Sequence, residues 1–334
     1  MRQTQKKKAL IVLLTTIIAF MGCMRKDSNS KVSYISVRSS QRPVSLSTDV
    51  VEDIDTIRLS TDKGDVLGEI QDICVSDSFI YILDQDNKIS AFNKRDGDLV
   101  KQIRAVGQGP EEYVSPIAMT SDENNLYVLD LTGMGLVIYD DSLNFKKKVG
   151  MSFPAFDLVK LSNGFLFYNL VATDSLGHFV YTDDEGVVIN SFINTNTNCD
   201  LVYNKRVFSR DSEGNIYMSE PLSDKIYTWG DNEVSLLYEI LLDDKDLKIA
   251  GNYVTSDYII SGFMNGETRC YNIFNRQDST SMVCDIGNAS KENYYVFGQY
   301  RGGLICVDNS YELLGDMSGE GYSTMVLIYY LKKD

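Results

Sequence analysis

The chain has 334 residues, 32 basic and 47 acidic, for a formal net charge of −15. An acid excess of this size repels phosphate backbones and anionic headgroups, which speaks against nucleic acid as a partner. A single histidine and six cysteines without any Cys-x-x-Cys pair speak against a structural zinc site.

The first 22 residues differ in character from the rest of the chain. Arg2 and Lys6-Lys7-Lys8 form a basic leader, Ala9 to Phe20 is apolar, and Met21-Gly22-Cys23 closes the run. The apolar stretch is shorter than the roughly 20 residues a membrane-spanning helix needs, and the arrangement is that of a secretory signal. Phe20-Met21-Gly22-Cys23 resembles a bacterial lipobox, which makes Cys23 the lipidated residue and the lipid the only contact with membrane. Residues 23–43 are polar and Ser-rich and read as a flexible tether. The expected location is the cell envelope, lipid-anchored to the outer membrane.

Residues 44–334 read as one domain. In the stretch 71–113, Ile73-Cys74-Val75, Ile80 to Leu83, Ile89 to Phe92 and Leu99 to Ile103 are short alternating segments separated by turns rich in Asp, Asn and Gly. A period of two over four short segments predicts an antiparallel meander of four strands, one blade of a propeller. The segment Tyr81-Ile82-Leu83-Asp84 recurs as Leu126 to Asp130, Phe165 to Asn169, Ile216 to Glu220, Tyr258 to Ser261 and Tyr294 to Gly298. Six copies at a spacing of about 40–50 residues predict an all-β, six-bladed β-propeller of four-stranded antiparallel blades. Thr324 to Leu331 has no fourth strand after it, and Val50 to Leu59 has no blade before it. Pairing these N- and C-terminal strands would complete the sixth blade and close the ring. Asp243 to Ala250 is the best helical candidate.

With Cys23 lipidated, five cysteines remain, an odd number for a full set of disulfides. Four of them lie inside apolar strand patterns, where cysteine packs as a small hydrophobe. One bridge, Cys270 to Cys284 on neighbouring strands, is open to an exported chain.

Gly107-Gln108-Gly109-Pro110-Glu111-Glu112-Tyr113, placed after the fourth strand of the first blade, resembles the G-x-G-P-x-E-Y signature of the six-bladed β-propeller lipoproteins of Bacteroidota, distant relatives of NHL-repeat propellers. The resemblance extends over the entry strand, the first two blades and the closing Met325 to Lys332 segment. It departs at Gly321 to Thr324, where the family often has Asn-Pro. The family implies fold and export and no settled reaction. In Bacteroidota an acidic run after the lipidated cysteine often directs lipoproteins to the outer surface, and no strong acidic run follows Cys23 directly, so the leaflet stays open.

Blade-to-blade junctions and the turns between second and third strands share one face of a propeller. That geometry directs Gln108, Glu111 and Tyr113 toward a rim, either as a pocket wall or as a hinge in which a glutamate satisfies backbone N–H groups. Equivalent positions add Phe156, Arg206 and Tyr253, with Arg104 and Arg301 as cations. No catalytic residue stands out. His178 is more readily a packing residue than a base, and no GxSxG, HExxH or P-loop occurs. The leading reading is a binding or interaction module for a glycan, peptide or envelope protein, acting through the channel rim. The alternatives are a calcium-dependent hydrolase or lyase using channel carboxylates, and a scaffold subunit of an envelope complex. No cofactor is required, calcium being the one that the second reading would need.

Overall fold

The alternating segments become strands buried on both sides, because each blade is sandwiched between two others. The computed structural model describes residues 32–38, 44–45, 50–60, 67–194, 206–265, 268–285, 296–308 and 324–332. The regular elements among them are strands, gathered in six sheets, each built on a four-stranded antiparallel blade. The first blade comprises Ile70–Val75, Phe79–Asp84, Ile89–Asn93 and Leu99–Ile103. The second holds Pro116–Ser121, Asn125–Asp130, Gly135–Asp140 and Phe145–Gly150, and the third Ala155–Lys160, Phe165–Asn169, Phe179–Thr182 and Val188–Phe192. Phe208–Arg210, Ile216–Met218, Lys225–Gly230 and Glu233–Leu242 make the fourth, and Ile249–Val254, Tyr258–Asn265, Thr268–Asn275 and Ser281–Asp285 the fifth.

The sixth blade is shared between the two ends of the chain. Val296–Tyr300, Gly303–Asp308 and Met325–Leu331 supply three strands, and Val51–Arg58 pairs antiparallel with Met325–Leu331 as the fourth. The expected closure by terminal strands therefore holds. The sixth copy of the repeat does not fall where the sequence pattern puts it. Val296–Tyr300 is the first strand of its blade, and the counterpart of Phe79–Asp84 is Gly303–Asp308.

Side chains of opposite parity on each strand feed opposite seams. In the first blade Ile80 and Ile82 pack toward the sixth, and Tyr81 and Leu83 toward the second. Six such apolar layers, one per seam, hold the ring. The same parity rules out a Cys270–Cys284 bridge. Cys270 faces the fourth blade and Cys284 the sixth, so their side chains leave the sheet on opposite sides.

Two further expectations change. Ser33–Val37, inside the segment read as a flexible tether, is a strand lying parallel to Glu233–Leu242, with Ile35 and Val37 buried in the seam between the fourth and fifth blades. Val44–Ser45 pairs in parallel with Ser281–Asp285. The chain thus lines the outer edges of the fourth, fifth and sixth blades in succession, covering exposed strand edges. Residues 243–248 form turns rather than a helix, because Ile249 must open the fifth blade.

Acids at the ends of second strands help to hold the blades in place. Asp84 accepts from the backbone N–H groups of Gly68, Asp86 and Lys88, and Asp130 from those of Val114, Ser115 and Gly133. Each carboxylate ties its own turn to the junction entering its blade, satisfying donors that would otherwise be orphaned.

Candidate binding site

The innermost strands surround a central channel, and its floor is built around one side chain. Arg206 enters just before Phe208–Arg210, with its guanidinium almost wholly buried. Its Nη2 donates to Asp72 Oδ1 at 2.7 Å and to the Ile73 carbonyl at 2.9 Å. Its Nη1 reaches the Met119 carbonyl at 3.1 Å and Asp157 Oδ1 at 3.4 Å, and Nε the Phe297 carbonyl at 3.1 Å. A residue of the fourth blade is thereby bonded to the first, second, third and sixth. The carboxylates are shared in turn, since Asp72 accepts from Met119 N–H and Asp157 from Val207 and Leu158 N–H.

Two carboxylates around one guanidinium leave a net negative charge buried. Burial therefore pushes Asp72 up to about 6, against the pull of Arg206, and Asp157 moves in the same direction. The same pair of acids holds Arg206 firmly protonated. This cluster is a plug that knits blades together, and its polar groups are turned on one another.

Above the plug the channel widens into a funnel of about 470 Å³. Its walls are the outgoing ends of innermost strands and the first turns of the first, second, fourth and sixth blades. It opens on the face of the first and third turns, opposite the face of the junctions. The walls are mixed in charge. Asp77 accepts from Tyr300 Oη at 2.8 Å and Arg301 Nη2 at 2.7 Å. Asp122 and Asp211 are held within their turns, each by two backbone N–H groups and by a tyrosine hydroxyl, Tyr127 and Tyr217 respectively. Gln299 donates to the Val254 carbonyl, and its Oε1 has no partner among the described residues. Cys74 also lines the funnel, where burial pushes it up to about 11. It stays a thiol near neutral pH and is a poor nucleophile.

Arg210 stands at the edge of this funnel. Its side chain is exposed, yet the surrounding walls desolvate it and pull its pKa down from the ordinary arginine value without discharging it. Its hydrogen bond goes to the Lys160 carbonyl, and no carboxylate pairs with it among the described residues. On its far side lies a groove of about 640 Å³ running across the turns of the second, third and fourth blades.

The residues expected to form a site do not converge. Gln108, Glu111 and Arg104 are exposed on the junction side, Arg104 beside a shallow dent of about 270 Å³ shared with Asp86 and Lys88. Tyr113 is fully buried, and its hydroxyl donates to the Asn87 carbonyl at 2.8 Å. The motif closes on itself as a hinge. Gly107 N–H donates to the Tyr113 carbonyl, and Glu112, not Glu111, accepts from Gly109 N–H at 2.8 Å. A Cβ on Gly107 would lie 1.9 Å from Glu112 Oε2, so a larger residue there would have to displace the carboxylate that holds Gly109 N–H. Phe156 and Tyr253 lie within innermost strands and pack in blade seams, Tyr253 donating to the Val296 carbonyl. Arg301 alone among the expected cations reaches the mouth of the funnel.

His178 is buried at the start of a strand, its Nδ1 3.0 Å from the Asn169 carbonyl and its ring stacked on Tyr168. Its Nε2 lies 3.8 Å from Glu220. Among the described residues no group of three His, Cys, Asp or Glu is placed to hold a metal ion. Cys23 and Cys199 lie outside the described residues.

The family model for "Domain of unknown function (DUF4934)" matches residues 32–323. The chain belongs to that family. Among solved structures, a Bacteroides fragilis protein named as an exported one is similar over 90% of this chain and 100% of its own, at 16% identity and a TM-score of 0.75. A DUF4221 member from Bacteroides vulgatus is similar over 85% of this chain and 98% of its own, with 9% identity and a TM-score of 0.56. Virginiamycin B lyase from Staphylococcus aureus, solved with quinupristin, covers 83% of this chain and 99% of its own at 10% identity and a TM-score of 0.51. At these identities the DUF4934 chain shares a fold with the three and nothing finer. No curated protein matches the sequence.

Proposed function

We propose that this DUF4934 chain is an exported, lipid-anchored binding propeller that takes a polar ligand of the envelope at the funnel above Arg206. The observation that carries the reading is the contrast within the channel. The plug uses its polar groups internally, whereas the funnel above it offers Arg210, Arg301 and Glu123 to solvent and has the buried Gln299 Oε1, without a partner among the described residues, in its wall. A cavity of about 470 Å³ falls within the size range of small-molecule and oligomer sites. Its mixture of carboxylates, amides and guanidinium groups suits a ligand rich in hydroxyl or amide groups. Export and lipidation at Cys23 rest on the basic leader, the short apolar run and Gly22-Cys23, and export alone agrees with the name borne by the Bacteroides fragilis neighbour.

Thermal unfolding of the full-length chain in detergent, against a panel of glycans, peptides and calcium with and without EDTA, tests this reading. A stabilisation by one ligand class that disappears in Arg301→Ala is expected, by linkage of binding to folding. A shift with calcium alone that EDTA reverses would contradict it and favour a metal-dependent activity.

A further inference from the structure

The groove beside the funnel has a composition of its own. The only tryptophan of the chain, Trp229, lines it with Tyr181. Trp229 is partly exposed, and its ring is braced by edge contacts with Tyr181 at 5.1 Å and Phe192 at 5.8 Å. A braced aromatic ring gives up little conformational freedom when a ligand stacks on it. Tyr181 Oη is already given to the Asn163 carbonyl, which fixes the turn across the groove.

Around this platform stand the exposed amides of Asn124, Asn163 and Asn232, none with a side-chain partner among the described residues. Asn232 is placed by a two-residue hairpin in which Asp231 and Asn232 have φ of 53° and 60°, the left-handed pair that such a turn requires. Each amide both donates and accepts, as a sugar hydroxyl does.

Arg210 and Glu123 line both cavities, so groove and funnel share one wall. A guanidinium and a carboxylate there present paired donors and paired acceptors, a match for vicinal hydroxyls. The charges argue for a neutral ligand. Lys160, the other cation of the groove, is spent on Asp184 at 3.0 Å and on two carbonyls. Asp122 and Glu123 line both cavities together with Arg210, and the whole chain carries −15. A polyanion would meet net repulsion.

We infer that groove and funnel form one extended cleft for a neutral oligosaccharide, with a sugar ring stacked at Trp229 and the next units hydrogen-bonded at Arg210 and Glu123. The inference rests on the funnel being the binding face and adds the ligand class and a second subsite to it.

The lone tryptophan makes the groove directly observable. The full-length chain in detergent is titrated with neutral oligosaccharides of increasing length, followed by tryptophan emission and, in parallel, by calorimetry. A saturable emission change is expected, with affinity rising from monosaccharide to short oligomer and then levelling. Arg210→Ala should weaken binding by roughly tenfold or more. Arg210→Lys, which keeps charge but loses the planar fork, should fall between the two. Calorimetric binding that Arg301→Ala abolishes, with emission unchanged, would overturn the groove subsite while leaving the funnel reading in place. A response to uronate oligomers or acidic peptides but not to neutral sugars would overturn the ligand class. No response in either readout would overturn both.

Discussion

Arg206 and Arg210 lie four residues apart at the inner edge of the same blade and do opposite things. Arg206 turns inward, makes five hydrogen bonds to four other blades, and is flanked by two buried carboxylates. Arg210 makes one hydrogen bond to a backbone carbonyl and faces solvent between two cavities. Residue type alone says nothing about role here. What separates a structural arginine from an available one is how many of its donors the protein has already used.

The sharpest way to break the comparison is to remove the inward arginine. Arg206→Ala would leave Asp72 and Asp157 buried without their cation, and a loss of about 3–5 kcal/mol is expected in urea unfolding. A loss below about 1 kcal/mol would mean that the plug is not what holds the inner strands together.

The acids of the plug give the next largest effect, with a defined sign. Asp72 is raised from 3.8 to about 6, so the folded state holds this proton between those values while the unfolded state releases it. Its contribution therefore favours folding at low pH and is lost as pH rises through about 6. Asp72→Asn removes that dependence. Relative to wild type it should gain stability between about pH 4 and pH 7, by up to roughly 3 kcal/mol. A difference that stays flat, or shrinks with rising pH, would contradict the assignment.

Smaller effects separate the two faces. Tyr113→Phe takes the hydroxyl away from the Asn87 carbonyl and Ala105 N–H, and should cost about 1–2 kcal/mol in the same unfolding assay. Arg210→Ala should change stability by no more than about 0.5 kcal/mol, as an exposed side chain with little invested in the fold. A large destabilisation would place Arg210 with Arg206 as a structural residue.

Much of the ring is legible in the sequence, because strand periodicity and turn residues are local signals. Phe79–Asp84, Asn125–Asp130 and the closing Met325–Leu331 strand all lie where the alternation places them. Alternation does not say which strand of a blade a segment is, and this is why the repeat at Tyr294 to Gly298 points to a second strand where the fold has a first. Ser33–Val37 is hidden for another reason. Its partner strand lies about 200 residues further on, and its Ser-rich surroundings look like tether.

The site is less legible still. Arg206 finds Asp72 134 residues away and Phe297 91 residues away, distances over which no spacing rule operates. The signature at Gly107 to Tyr113 draws attention to the junction face because turn chemistry is conspicuous in sequence, yet its Glu112 and Tyr113 are absorbed by the hinge. A pointer to the other face does exist. Asp122, Asn125 and Tyr127 in the second blade repeat as Asp211, Asn215 and Tyr217 in the fourth, the same acid–amide–phenol turn beside the funnel. Trp229, the lone tryptophan, is the other signal of that face.

The central claim, that binding belongs to the turn face and not to the junction face, has a direct test. Wild type, Arg210→Ala and Arg104→Ala, all as full-length chains in detergent, would be applied to one array of neutral oligosaccharides, uronate oligomers and peptides. Wild type and Arg104→Ala should give the same profile on neutral oligosaccharides, and Arg210→Ala should lose it. A profile lost in Arg104→Ala and kept in Arg210→Ala would contradict the claim and move the site to the junction face.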